Sequence, residues 1–240
     1  KVRIYVDGVL VDSTTANGSG AWSDTSAALA QGSHTIKVTA TDAAGNTSVF
    51  SNTNTFTVDS VAPSAPVVVA PANGSYVTTT TPLFTGTAEA NSKVRIYVDG
   101  VLVDSTTANG SGAWTDTSAT LTQGSHTIKV SSTDAAGNTS VFSNTNTFTI
   151  DTVAPGAPVV TTPANGSSVT TTTPLFTGTA EANSKVRIYV DGVLVDSTTA
   201  NGSGAWSDTS AALAQGSHTI KVTATDAAGN TSVFSNTNTF

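Results

Sequence analysis

The chain of 240 residues has no cysteine, a formal charge of −7 and only 10% charged side chains, with a pI near 4.6. Without cysteine there is no disulfide staple, no thiolate nucleophile and no sulfur ligand for a metal. The acidic balance disfavours nucleic acid and anionic membrane as partners, and no apolar run approaches the ~18 residues of a membrane span.

The sequence repeats. Lys1-Val2-Arg3-Ile4-Tyr5-Val6-Asp7-Gly8 returns from Lys93 and from Lys185, a period of 92 residues, and residues 1–56 are identical to residues 185–240. The middle copy departs at scattered positions, such as Thr115 for Ser23 and Ser132 for Ala40. The period lies within the usual domain range of roughly 50–250 residues, so one repeat can carry its own core. The expected organisation is a partial repeat at 1–61 that lacks its first strands, a complete repeat at 62–153 and a nearly complete one at 154–240. Both ends are expected to be cuts in a longer array. Unseen residues or a neighbouring molecule would then supply the missing strands, and the former is favoured.

The complete repeat shows short alternating runs rich in Val, Ile, Thr, Phe and Tyr, and no helical periodicity. Pro63 and Pro66 make a short, stiff entry. Val67–Ala70 reads as the first strand, and Val77–Thr81 as an edge segment after the Asn73-Gly74 turn. Leu83–Ala88 follows, with Leu83 and Phe84 competing for the inner face. In the next strand Val94, Ile96 and Val98 alternate with Lys93, Arg95 and Tyr97, so the first set is buried. Asp99-Gly100 is a two-residue hairpin signal. Val101–Thr106 returns, and Trp114 anchors a strand expected to reach Leu121. His126, Ile128 and Val130 share one face of the following strand. The last strand is expected over Val141–Ile150. Turns every 8–12 residues point to an all-β, immunoglobulin-like antiparallel sandwich in a tandem array.

Leu121, Gly124-Ser125-His126, Asp134-Ala135-Ala136-Gly137-Asn138 and Asp151-Thr152-Val153-Ala154-Pro155 carry a resemblance. Together they are similar to the bacterial immunoglobulin-like tandem repeats of giant secreted adhesins and biofilm-associated surface proteins. The resemblance covers the whole chain. It implies an extracellular, cell-surface spacer, often rigidified by calcium at domain junctions.

The loops Glu89–Ser92, Asn109–Gly112 and Asp134–Asn138 share the pole at which the preceding repeat arrives. Asp59, Glu89, Asp134 and Asn138 are therefore candidate Ca2+ ligands at one junction. Asp151, Glu181, Asp226 and Asn230 are the candidates at the next. Calcium takes about 6–8 oxygens from carboxylates, amides and carbonyls. The competing reading is that Asp134 and Asn138 only build an Asx-type turn around Gly137.

His34, His126 and His218 occupy one position copied three times, and packing or capping suits them better than general-base chemistry. No insertion forms a cleft around Glu89 or Glu181, so no enzyme is expected. Lys93 and Lys129 alternate out of phase with the buried residues, against an intramolecular isopeptide bond. The expected partners are neighbouring repeats and other copies of the fibre, with no nucleic acid and no direct membrane insertion. Two further readings stay open. One is a glycan or host-surface module using Tyr76, Tyr97 or Tyr189. The other is a filament whose subunits exchange strands.

Overall fold

The computed structural model describes residues 1–240 and contains strands but no helix. The chain forms two compact units, Lys1–Ser64 with Thr133–Ser140, and Ala65–Ser132 with Val141–Phe240.

In the first unit β1 (Val2–Val6), β2 (Val9–Thr14), β3 (Gly32–Ala40) and β4 (Asn54–Val58) form one antiparallel sheet, in the order β2-β1-β3-β4. Val2, Ile4 and Val6 are buried on one face of β1, as the period of two requires. Residues 21–31 form no strand, and Trp22 stays 40% exposed.

The second unit holds two sandwiches. In the first, β5 (Val67–Ala70), β7 (Leu83–Thr87) and β10 (Ala113–Thr117) make a three-stranded sheet. The opposing sheet runs β6 (Ser75–Val77), β12 (Asn146–Ile150), β11 (Gly124–Thr133), β8 (Lys93–Val98), β9 (Val101–Thr107). In the second sandwich β13 (Val159–Thr162), β14 (Leu175–Thr179) and β17 (Ala205–Thr209) face β15 (Lys185–Val190), β16 (Val193–Thr199), β18 (Thr219–Thr225) and β19 (Asn238–Thr239).

Each sandwich closes on one apolar core. Val68, Phe84, Val94, Ile96, Trp114, Ile128, Val130 and Phe148 fill the first, and Phe84 meets Phe148 edge-on at 6.1 Å. Phe176, Val186, Ile188, Trp206, Ile220 and Val222 are among those that fill the second. The choice between Leu83 and Phe84 is settled by volume and by Gly86. Phe84 goes in with Gly86, and Leu83 stays 54% exposed. Both central residues of the hairpin turn take positive φ, Asp99 at 51° and Gly100 at 82°, which the type I′ turn demands.

Three strand limits differ from the expectation. The tryptophan strand stops at Thr117, paired with Leu83, because the next partner, Pro82, accepts the Ser118 N–H but has no N–H to return. The last strand begins at Asn146. Before it, Ser143 closes a local loop by donating its N–H to Val130 and accepting the Val130 N–H on its hydroxyl. The edge segment is Ser75–Val77, paired in parallel with Phe148–Ile150, and the threonines after it bend away. On β9 a bulge opposite Ile96 and Tyr97 interrupts the free edge, a common way to blunt sheet extension.

Candidate functional site at the repeat junctions

The Asp134–Asn138 loop is built by its own side chains. Asp134 Oδ1 accepts the N–H groups of Gly137 at 2.8 Å and Asn138 at 2.9 Å, and Oδ2 accepts Asn138 Nδ2 at 2.9 Å. Gly137 takes φ 100°, which a side chain would resist. The Asn138 bond first, then the backbone N–H groups, hold the Asp134 carboxyl below its ordinary range, so it is ionised at neutral pH. The Asx-type turn is therefore present.

The same amide also reaches the preceding repeat. Asn138 Nδ2 donates to the Asp59 carbonyl at 3.1 Å, within the unit that joins Thr133–Ser140 to Lys1–Ser64. The next junction repeats this, with Asn230 Nδ2 at 3.0 Å from the Asp151 carbonyl and 2.9 Å from Asp226 Oδ2. At Asp226 burial works to raise the carboxyl, but the Asn230 and backbone bonds outweigh it and lower it. In the first copy Asn46 bonds Asp42 in the same way.

The preceding repeat grips the linker one residue later. Gln123 Oε1 accepts the Thr152 N–H at 3.0 Å and its Nε2 donates to the Thr152 hydroxyl at 2.7 Å. Gln31 does the same to Ser60, at 2.9 and 2.7 Å. Asp59 and Asp151 turn their own carboxylates to the N–H groups of Val61 and Val153, both at 3.1 Å. Two consecutive linker residues are thus fixed, one by each neighbouring repeat.

The expected ligand sets are gathered only in part. The Asp226 carboxylate, the Asn230 amide and the Asp151 carbonyl meet, as do Asp134, Asn138 and the Asp59 carbonyl. Glu89 and Glu181 are exposed, and it is their carbonyls that are bonded, to Ser92 and Ser184. Nowhere do three or more Asp, Glu, His or Cys side chains assemble as a metal cluster. Two oxygens do converge on each asparagine amide. The amide nitrogen lies between them and donates to both.

Sequence reasoning missed the glutamines and the partner of the histidines. His126 Nδ1 lies 2.7 Å from Asp99 Oδ2, and Nε2 lies 2.9 Å from the Thr122 carbonyl. His34 with Asp7 and Ala30, and His218 with Asp191 and Ala214, show the same distances. The partners lie 27 residues apart, and a tandem duplication repeats every residue equally, so recurrence alone marks none of them. Tyr97 and Tyr189 are edge-packed on Phe142 and Phe234 at 5.1 and 5.2 Å, with Lys129 and Lys221 over those phenylalanines, whereas Tyr76 stays 50% exposed.

Two-sheet antiparallel sandwiches joined by short, hydrogen-bonded linkers define a chain of immunoglobulin-like modules. The protein belongs to the bacterial Ig-like domain family, whose profile matches residues 1–60, 70–152 and 162–239. No curated protein matches it in sequence. Among solved structures it is similar to the fibronectin(III)-like modules of Clostridium thermocellum CbhA, at 19% identity and TM-score 0.49, over 72% of this chain and 92% of that one. It is also similar to a structure from a 1.5-MDa bacterial ice-binding adhesin, at 23% identity and TM-score 0.38, over 99% and 83%. A third is the BSP domain of a biofilm associated protein, at 17% identity and TM-score 0.29, over 87% and 42%.

Proposed function

We propose that the chain is a spacer segment of a bacterial cell-surface adhesin, in which each repeat is a rigid body and each junction is closed by side chains from both neighbours. One observation carries this reading. Asn230 of the following repeat and Gln123 of the preceding one bind Asp151 and Thr152, consecutive residues of one linker. A linker held in this way resists bending, so reach grows with the number of copies and stability is close to a sum over neighbours. Two of the three tyrosines that could stack on a glycan, Tyr97 and Tyr189, are packed on phenylalanine.

Calcium belongs to the same proposal. At the second junction the Asp151 carbonyl, the Asp226 carboxylate and the Asn230 amide oxygen would hold it, and its charge would tie the two repeats more firmly than one amide hydrogen does. Extracellular calcium modules bind at roughly 0.1–1 mM. Titrating the metal-free chain to about 10 mM calcium, tenfold above that range, is expected to shift the side-chain amide signals of Asn138 and Asn230 and to raise the melting temperature. Unmoved signals and equal melting in calcium and chelator would remove the ion and leave the amide clasp alone.

A further inference from the structure

Both ring nitrogens of each histidine have an acceptor as their nearest partner. Nδ1 meets a carboxylate oxygen and Nε2 a backbone carbonyl, at 2.7 and 2.9 Å in all three copies. Only the imidazolium form, with a proton on each nitrogen, can donate to both partners at once. The carboxylate is further fixed by the next strand, since Asp99 Oδ1 accepts the Thr127 N–H at 2.8 Å and Asp7 Oδ1 that of Thr35 at 2.8 Å. The histidine therefore bolts the loop before β3 or β11 to the hairpin at Asp7 or Asp99. The residue after the bolted carbonyl is the glutamine that grips the linker, Gln31 after Ala30 and Gln123 after Thr122.

We infer that this histidine is a proton-operated latch on the junction, closed when the ring is charged and released when it is neutral. The inference rests on the spacer reading only for its consequence, since the latch can fail while the spacer stands. A neutral ring keeps one proton. The adjacent carboxylate holds it on Nδ1, and the Nε2 lone pair is then left against a carbonyl oxygen at 2.9 Å. The carbonyl must retreat, and the loop carries the glutamine with it. In the middle copy the Thr122 hydroxyl lies 3.5 Å from Nε2 and can turn to donate to a neutral ring. Ala30 has no such hydroxyl, so the Gln31–Ser60 grip should release more fully than Gln123–Thr152.

Charges near the ring come from the carboxylate alone; the other neighbour is an aromatic face, Phe56 at 5.8 Å or Phe148 at 5.9 Å. The Asp7 bond, then the Ala30 carbonyl, raises His34 above the ordinary imidazole range. At His126 burial works to lower the value, and the bonds to Asp99 and Thr122 overcome it. The His34 bond, then Thr35, lowers Asp7; at Asp99 burial opposes the same two kinds of bond and loses. The latch is therefore complete below the ordinary histidine value and lost as pH rises through the raised one. At the acid end it is complete above the ordinary aspartate value and lost as pH falls through the lowered one.

Carbon relaxation on the full chain tests this without relying on exchangeable protons. Between pH 6 and pH 9 the Cα–H order parameter of Ser60 should fall from about 0.85 to below ~0.6. Its midpoint should be that of His34 read from the ring carbon shift, and Thr152 should fall less. His34→Gln should abolish the pH dependence at Ser60, and if that variant does not fold, Gln31→Ala should give a mobile Ser60 at every pH. A rigid Ser60 on both sides of the His34 midpoint would overturn the latch, as would the same pH dependence in His34→Gln. Either result leaves the spacer reading standing.

Discussion

Trp114→Ala should destabilise its sandwich by about 3–5 kcal/mol, the usual loss on emptying a buried tryptophan site. Trp114 is 2% exposed and packs between the two sheets, in van der Waals range of the glycine opposite. Trp22 holds the same place in the repeat and is 40% exposed, off any strand. Trp22→Ala should cost less than about 1 kcal/mol, as for other half-exposed sites. Guanidinium denaturation followed by circular dichroism distinguishes them. Equal losses at both positions would mean that the tryptophan contributes by local strand preference and not by sitting between sheets.

Gly86→Val should cost about 3 kcal/mol, the upper end of what an overfilled core loses. The first carbon added at Gly86 would collide with the Val67 carbonyl oxygen and come within 2.5 Å of the Trp114 ring. One neighbour is backbone and the other a core side chain, so neither can swing aside. β5 would be pushed off β7, opening the sandwich at its first strand. Gly178 repeats the arrangement beneath Val159 and Trp206. A fall in melting temperature of more than about 10 °C is expected for a domain of this size. A valine tolerated within about 2 °C would show that β5 contributes little to the closed core.

Much of the fold could be read from the sequence because its signals are local. Alternation placed Val94, Ile96 and Val98 inward, and all three are buried; Asp99-Gly100 marked a hairpin, and both residues have positive φ. Strand ends were less legible. Ser143 delays the last strand by exchanging hydrogen bonds with Val130, and the tryptophan strand ends where its partner is Pro82, a stop that shows only once the register is known. At the junction the loop order of a sandwich was enough to bring Asn138 toward Asp59. The way they meet was not legible, because an asparagine amide can present either end. Gln123 and the His126–Asp99 pair stayed hidden for another reason. A glutamine next to Gly124 looks like any turn residue until the linker is folded over it.

The most direct test of the clasped junction uses the absence of cysteine. Thr87→Cys and Thr179→Cys place two exposed spin labels on β7 and β14, in successive sandwiches of one unit. Pulsed electron resonance on the metal-free chain should give a narrow distance distribution, and Gln123→Ala with Asn230→Ala should broaden it severalfold while each sandwich keeps its melting temperature. An unchanged width in the double variant would show that the linker is stiff without its clasps, and the account of the junction would be wrong.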